Sequence, residues 1–443
     1  MDMPTLGAAA GTAIPHDQML VLLLQIGILL ALATVLGRLA ARSGLPPVVG
    51  ELTAGIVAGP SVLGHLAPGV SHRLFPADPG QTHLLGAVAQ LGALLLVGIT
   101  GAHIDLRLLR DRRAAVTSVS VGSVLLPLVA GTALGFVLPG ELRGEHGGRT
   151  TFALFIGVAV AVSALPVIAK TLLDMRLLHR DVGQLIIGAA AVSDIAGWLL
   201  LSVVSATATA GFHAGTAVRA VGGLILILVV TMWVARPVTA RVLRLVERSE
   251  NPGGPGVAVV VVLLVLAAAG THALGMEPIL GAFLCGIVIG SAGPAGPLFL
   301  NTVRTFVMAV LAPLFLAGAG LQADLSALAD PPVLAAALVT LAVAVGAKLA
   351  GGYAGARLSG SGHHESLAVG AGLNARGVVE IVLASVGLGI GVLDTASYTV
   401  VVLVALVTSV MAPPILRRTT RHVVRTDTET ERERRFAGEP VRS

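Results

Sequence analysis

Apolar stretches long enough to cross a bilayer recur along nearly the whole chain, so a soluble fold is excluded. Each crossing needs about 20 mostly apolar residues. Thirteen stretches qualify, roughly 18–40, 46–63, 84–103, 114–138, 150–172, 182–209, 218–243, 256–274, 277–292, 303–322, 331–356, 365–390 and 396–416. The second and ninth are short and Gly-rich. Only 12% of the 443 residues are charged, against about 25% in a soluble domain. Backbone groups in lipid must be satisfied internally, which predicts an all-α polytopic membrane protein. Abundant Gly (55 residues) and scarce aromatics (3%) suit closely packed membrane helices. Cys285 is the single cysteine, so no intramolecular disulfide forms. Aromatic and basic residues do not interleave as base stacking requires, so no nucleic-acid partner is expected.

The chain divides into an extracellular segment 1–17, a transmembrane domain 18–416 and a mixed-charge tail 417–443. The first apolar run lacks a basic n-region and is too long for a signal, so it reads as a retained helix. Arg417, Arg418 and Arg421 fall where lipid headgroups attract basic residues. Disorder is expected beyond them. Loops after odd-numbered stretches carry fourteen Arg residues, among them Arg42, Arg107, Arg180, Arg304 and Arg357. Loops after even-numbered stretches carry four: Arg73, Arg143, Arg149 and Arg219. This bias puts the tail in the cytoplasm and the N-terminus outside, with the plasma membrane as the expected location.

Asp194 is the only charge between Gln184 and Ser205. An acid at the centre of a membrane helix costs roughly 2.5–3.5 kcal/mol on insertion scales, which marks an ion pathway, a proton relay or a buried pair. Lys348, inside another apolar stretch, is its candidate partner. Arg376 and Glu380 are one helical turn apart in a third stretch and are expected to pair.

Two segment pairs look alike. Val49–Gly59 resembles Leu280–Gly290. Leu94–Leu106, with Gly101 and Asp105, resembles Leu314–Leu325, with Gly320 and Asp324. The matching stretches are seven apart, so they cross in opposite directions. Such an inverted repeat places a transport site near the midplane, at discontinuous helices. The fifth and twelfth stretches are the discontinuous pair. Pro166 removes a backbone bond from the fifth, and Ser163 can help satisfy what is freed. Asn374, Arg376 and Gly377 interrupt the twelfth, where Arg376 can balance carbonyl ends.

These residues resemble the monovalent cation:proton antiporter-2 family. The run Val192-Ser193-Asp194-Ile195-Ala196-Gly197-Trp198 looks most like its plant cation/proton exchanger-type branch and bacterial relatives. Pro47–Glu51, Gly59–Ser61, Leu165–Ala169, Gly346–Lys348 and Leu373–Glu380 agree with it, and the likeness runs over roughly 20–416. The resemblance implies the sodium/proton antiporter fold. It also implies a core domain that slides against a dimerisation domain in a homodimer, and Na⁺ or K⁺ and H⁺ as the exchanged ions. Asp194 matches the family's ion-binding aspartate. Lys348 matches a lysine that pairs with it in some relatives. Ser193 stands where many relatives carry Asn or a second Asp, which favours one-for-one, electroneutral exchange.

The residues alone lead to a similar chemistry. Desolvation favours the protonated form of a carboxylate, and a neighbouring cation favours the ionised form. Asp194 can therefore hold a proton or a small hard cation, but not both. Ser163, Ser193 and the carbonyls of broken helices are suitable oxygen donors. Glu51 either lines a cytoplasmic access funnel or caps its short helix. His363-His364-Glu365 reads as a solvated loop rather than a metal site. Gly370-Ala371-Gly372 lacks the strand and later glycine of a nucleotide site, so no cofactor is expected. Gly55/Gly59 and Gly286/Gly290 have the spacing of tight helix packing. A cation channel or efflux system, and a cation-coupled symporter, are the alternatives. No nucleophile–base spacing suggests an enzyme.

Overall fold

The computed structural model describes residues 15–76, 78–102, 113–146, 148–175, 177, 180–210, 214–248, 253–274, 276–292, 295–421, 423 and 429. The expected outer segment up to 14, Asp105 of the repeat, the arginines at 107–112 and most of the tail lie outside them. The described residues are almost entirely helical, with one isolated bridge between Arg143 and Leu393.

The helices are α1 (His16–Arg42), α2 (Pro47–Ala58), α3 (Leu63–Leu66), α4 (Pro68–Leu74), α5 (Pro79–Ala102) and α6 (Arg113–Val137). The first broken pair follows, α7 (Arg149–Ala161) and α8 (Leu165–Asp174), and then α9 (Asp181–Ala210). Next come α10 (Ala214–Val230), α11 (Arg236–Glu247), α12 (Gly253–Ala273), α13 (Pro278–Ser291), α14 (Ala295–Phe306) and α15 (Ala312–Gln322). The chain ends with α16 (Pro331–Leu358), the second broken pair α17 (His363–Leu373) and α18 (Val378–Gly389), and α19 (Thr395–Thr420).

Every predicted stretch falls on helix, although the count of crossings differs. Among the described residues, ten helical stretches are long and apolar enough to cross, and eleven if α17 and α18 form one span bent by 44°. The fifth and ninth predicted stretches hold the shorter apolar helices α7 and α13. Two spans contain a π-turn, Thr231–Ala235 and Val307–Leu311, each just before a proline, Pro237 and Pro313. A proline ring clashes with the carbonyl four residues back, and a widened turn relieves it. α5 starts five residues before its predicted bound of 84, because the Asp78 carboxylate caps it through the Gln81 N–H at 3.0 Å.

The inverted repeat is visible in the packing. α2 lies on α15, and its repeat mate α13 lies on the mate of α15, α5. A Cβ on Gly55 would come 1.8 Å from the Ala317 carbonyl, and one on Gly286 would come 1.9 Å from the Gly98 carbonyl. Gly59 faces Leu321 as Gly290 faces Ala102, and Gly320 faces Leu52 as Gly101 faces Phe283. The first members of these pairs map onto the second by the offsets of the two sequence matches. α1 on α2 is likewise mirrored by α12 on α13, through Gly50 against Leu36 and Gly281 against Ala267. These six helices form one body. α6, α7, α9, α16, α17 and α19 pack together in a second group around the two helix breaks.

Candidate functional site

The broken helices meet at their breaks. α7 stops at Ala161, and Val162–Ala164 is non-helical before α8 resumes. Pro166 falls in the first turn of α8, where its missing N–H is harmless. α17 stops at Leu373, and residues 374–377 carry the chain into α18. The Ala164 N–H donates to the Ala375 carbonyl at 3.2 Å, and the Ser163 hydroxyl donates to the Leu373 carbonyl at 3.1 Å. Each break therefore satisfies backbone groups of the other.

A helix end leaves four carbonyls without intrahelical partners, a serious cost in an apolar interior. At the end of α7 all four are accounted for. The Val158 carbonyl accepts from the Val162 N–H at 3.1 Å. Arg376 donates to Ala159 at 2.8 Å and to Val160 at 2.5 Å. The Lys348 ammonium donates to the Ala161 carbonyl. Both cations sit at the negative end of a helix, where the macrodipole favours them. Arg376 also donates to Ala344 at 3.3 Å and to the Glu380 carboxylate at 3.0 Å, so the predicted ion pair is present. Gly377 sits against Val167 and Ala164, with little room for a side chain at the crossing.

Asp194 lies near the middle of α9 and is fully buried. Neither carboxylate oxygen has a hydrogen-bond partner. Two positive influences bear on it: the backbone N–H of Leu165, at the start of α8, and the charge of Lys348. A helix N-terminus is a favourable neighbour for a carboxylate. The expected Asp194–Lys348 ion pair is not formed within contact distance. The lysine instead spends its three donors on the Ala161 carbonyl, the Ser123 carbonyl at 3.0 Å and the Ser193 hydroxyl at 3.4 Å. The physical reason is the orphaned end of α7, which needs a donor where the ammonium reaches.

Asn374 ends α17 with both amide atoms buried and unpartnered. Glu51 is partly buried on α2 and lines a cavity of about 290 Å³. Its lining includes the exposed Gly44 and Arg417 and the half-buried Pro46, from the loop after α1 and the end of α19. Its inner end reaches Val167 in the first turn of α8 and Val378 at the start of α18. Asp194 is not on its wall, but the α8 N-terminus that faces Asp194 is one turn from it.

Three participants were not singled out from sequence. Ser123 supplies a carbonyl to Lys348, Ala344 supplies one to Arg376, and the Ser409 hydroxyl donates to the Arg376 carbonyl at 2.5 Å. Two act through backbone oxygen, which every residue carries, so residue type held no signal. Ser409 carried only the weak signal of a hydroxyl in an apolar helix.

Comparison with known proteins gives one consistent result. The model of the transmembrane sodium/hydrogen exchanger family matches residues 28–422. The chain is 30% identical to the Na(+)/H(+) antiporter NhaS4 of Synechocystis, over 90% of this chain and 97% of that one. It is 29% identical to Cation/H(+) antiporter 15 of Arabidopsis thaliana over 84% of its own length, but spans only 44% of that longer relative. Among solved structures, the sodium proton antiporter MjNhaP1 from Methanocaldococcus jannaschii superposes with a TM-score of 0.67 at 15% identity. That match covers 91% of this chain and 99% of the other, which shows a shared fold.

Proposed function

Because the chain belongs to the sodium/hydrogen exchanger family, we propose that it exchanges a monovalent cation, Na⁺ or K⁺, for H⁺ across a membrane by alternating access. The observation that carries this reading is Asp194. It is a fully buried carboxylate with no hydrogen bond, beside a helix N-terminus and a lysine. The reading gives Ser193 and Ser163 the role of hydroxyl donors to the ion, supported by their contacts with the Ala161 and Leu373 carbonyls at the ends of the broken helices. Lys348, Arg376 and Glu380 hold the broken helices in register around Asp194, and Pro166, Asn374 and Gly377 shape the breaks.

The buried charges also support one-for-one exchange. Asp194 and Glu380 oppose Lys348 and Arg376, so the cluster is formally neutral when all four are ionised. A proton on Asp194 makes it +1, and so does an alkali cation beside the ionised carboxylate. The moving group then carries the same charge in both directions, so the work done by the membrane potential cancels over a full cycle. Glu51 lines the cavity through which the cation arrives from the arginine-rich, cytoplasmic side. The group around the breaks slides against the six-helix body, which in a homodimer is held by its partner copy. The plasma membrane is the setting.

The test is cation-induced proton movement in proteoliposomes, with Na⁺ and K⁺ added separately. Asp194→Asn keeps the volume and removes the ionisable group, so it is expected to abolish exchange in a folded protein. Substantial residual exchange overturns the assignment. A response of the native protein that follows membrane potential overturns electroneutrality alone.

A further inference from the structure

We propose that Ser205 and Glu277 form a latch that seals the protein on the side opposite the cavity lined by Glu51, making Glu277 a positioning residue for exchange. The Ser205 hydroxyl donates to Glu277 Oε1 at 2.6 Å. That length belongs to a charge-assisted O–H···O bond. Ser205 lies eleven residues beyond Asp194 on α9, about 16 Å along the helix at 1.5 Å per residue. Glu277 is the residue before α13, and its own carbonyl accepts from the Thr271 hydroxyl at 3.3 Å, fixing the turn out of α12. His272 is the titratable neighbour that faces it. Further in, Trp198 of α9 packs on Phe283 of α13 with ring centroids 6.1 Å apart. The contact therefore joins the Asp194 helix to the six-helix body.

The repeat gives this contact its meaning. The α2–α13 match pairs Gly55 with Gly286, which places Pro46 and Glu277 at equivalent positions, each before a helix that opens on proline. On one side of the membrane Pro46 lines the Glu51 cavity. On the other, the equivalent position is covered by Ser205. One sequence repeat thus has an open end and a shut end. The inference rests on the alternating-access reading above, since exchanging the two ends requires the Ser205–Glu277 bond to break.

The variants are Ser205→Ala, which removes the donor, and Glu277→Gln, which keeps an acceptor but removes the charge. Trp198 is buried behind the latch, and the chain has one other tryptophan, the exposed Trp233. In a Trp233→Phe background, acrylamide quenching of Trp198 is expected to rise about threefold or more in Ser205→Ala and less in Glu277→Gln. In transport, half-saturation by cation added on the latch side is expected to fall about tenfold in Ser205→Ala, the lower end for a charge-assisted bond. Half-saturation from the cavity side changes less, because that state already dominates. A merely structural contact would lower thermal stability in both variants and leave quenching and the ratio between sides unchanged, and that result overturns the latch. Quenching repeated in Asp194→Asn separates the two readings. A rise there supports the latch whether or not the native protein exchanges cations, and no rise in either background refutes it.

Discussion

Replacing Arg376 by alanine removes four contacts at once: three carbonyls, Ala159, Val160 and Ala344, and the Glu380 carboxylate. Glu380 is nearly as buried as Arg376 itself. Breaking a buried pair by deleting one partner costs roughly 3–5 kcal/mol, because the other charge is stranded. The carbonyls add about 0.6 kcal/mol each, the average measured for hydrogen bonds between membrane helices. These contributions overlap, so a loss of about 4 kcal/mol is expected for Arg376→Ala. Glu380→Ala leaves Arg376 with its three carbonyl partners and should cost about half as much. The double variant strands no charge. It should be less destabilised than the two single variants summed, by roughly 1–3 kcal/mol. Equilibrium unfolding in mixed micelles measures all three. An Arg376→Ala protein within about 0.5 kcal/mol of the native one would refute the reasoning, as would strict additivity in the double variant.

Two further outcomes follow from geometry. Gly55→Ala and Gly286→Ala place a methyl 1.8 Å and 1.9 Å from a facing carbonyl, whereas a Cβ on Gly27 of α1 meets nothing within 4 Å. Melting temperatures should fall in the first two, corresponding to about 1–3 kcal/mol of overpacking each, and should rise slightly in Gly27→Ala. Equal effects at all three sites would contradict the packing account. Glu51→Gln should raise the half-saturating cation concentration from the cavity side about threefold at low ionic strength and leave it unchanged in high salt. A loss of maximal rate with unchanged half-saturation would mean that Glu51 acts elsewhere.

The spans were legible in the sequence because lipid imposes a single rule on the backbone. The helix breaks were legible because Pro166 and the Gly370–Gly377 run offend that rule. The repeat showed through its glycines, since a Gly that must admit a facing carbonyl leaves little freedom to drift. Lys348 is held by contacts other than the expected ion pair, for a reason of the same kind. From sequence, the obvious need of a buried ammonium is a carboxylate. The stronger need in the structure belongs to the Ala161 carbonyl, which is orphaned by the break in α7. Which helix end lies beside which side chain is decided by tertiary packing. The Ser205–Glu277 contact was hidden in the same way, because its residues lie 72 apart on different bodies.

The four buried charges at the crossing are not alike, and the difference argues for their roles. Lys348 and Arg376 each donate to backbone carbonyls whose positions are fixed by helix ends, and Glu380 accepts from Arg376. Removing any of these leaves a defined orphan, so their first duty is to hold two broken helices together. Asp194 makes no hydrogen bond of ordinary geometry, and the one backbone group that bears on it is the Leu165 N–H at the start of α8. A buried carboxylate kept only for structure would be selected into hydrogen bonds, since each unmade one costs about 1–3 kcal/mol or more for a charge. Lys348 stays near Asp194 and is held back from pairing with it by the α7 terminus. A full ion pair would compete with an arriving cation for the same oxygens. A lysine detained by carbonyls keeps a positive charge nearby and leaves those oxygens for exchange.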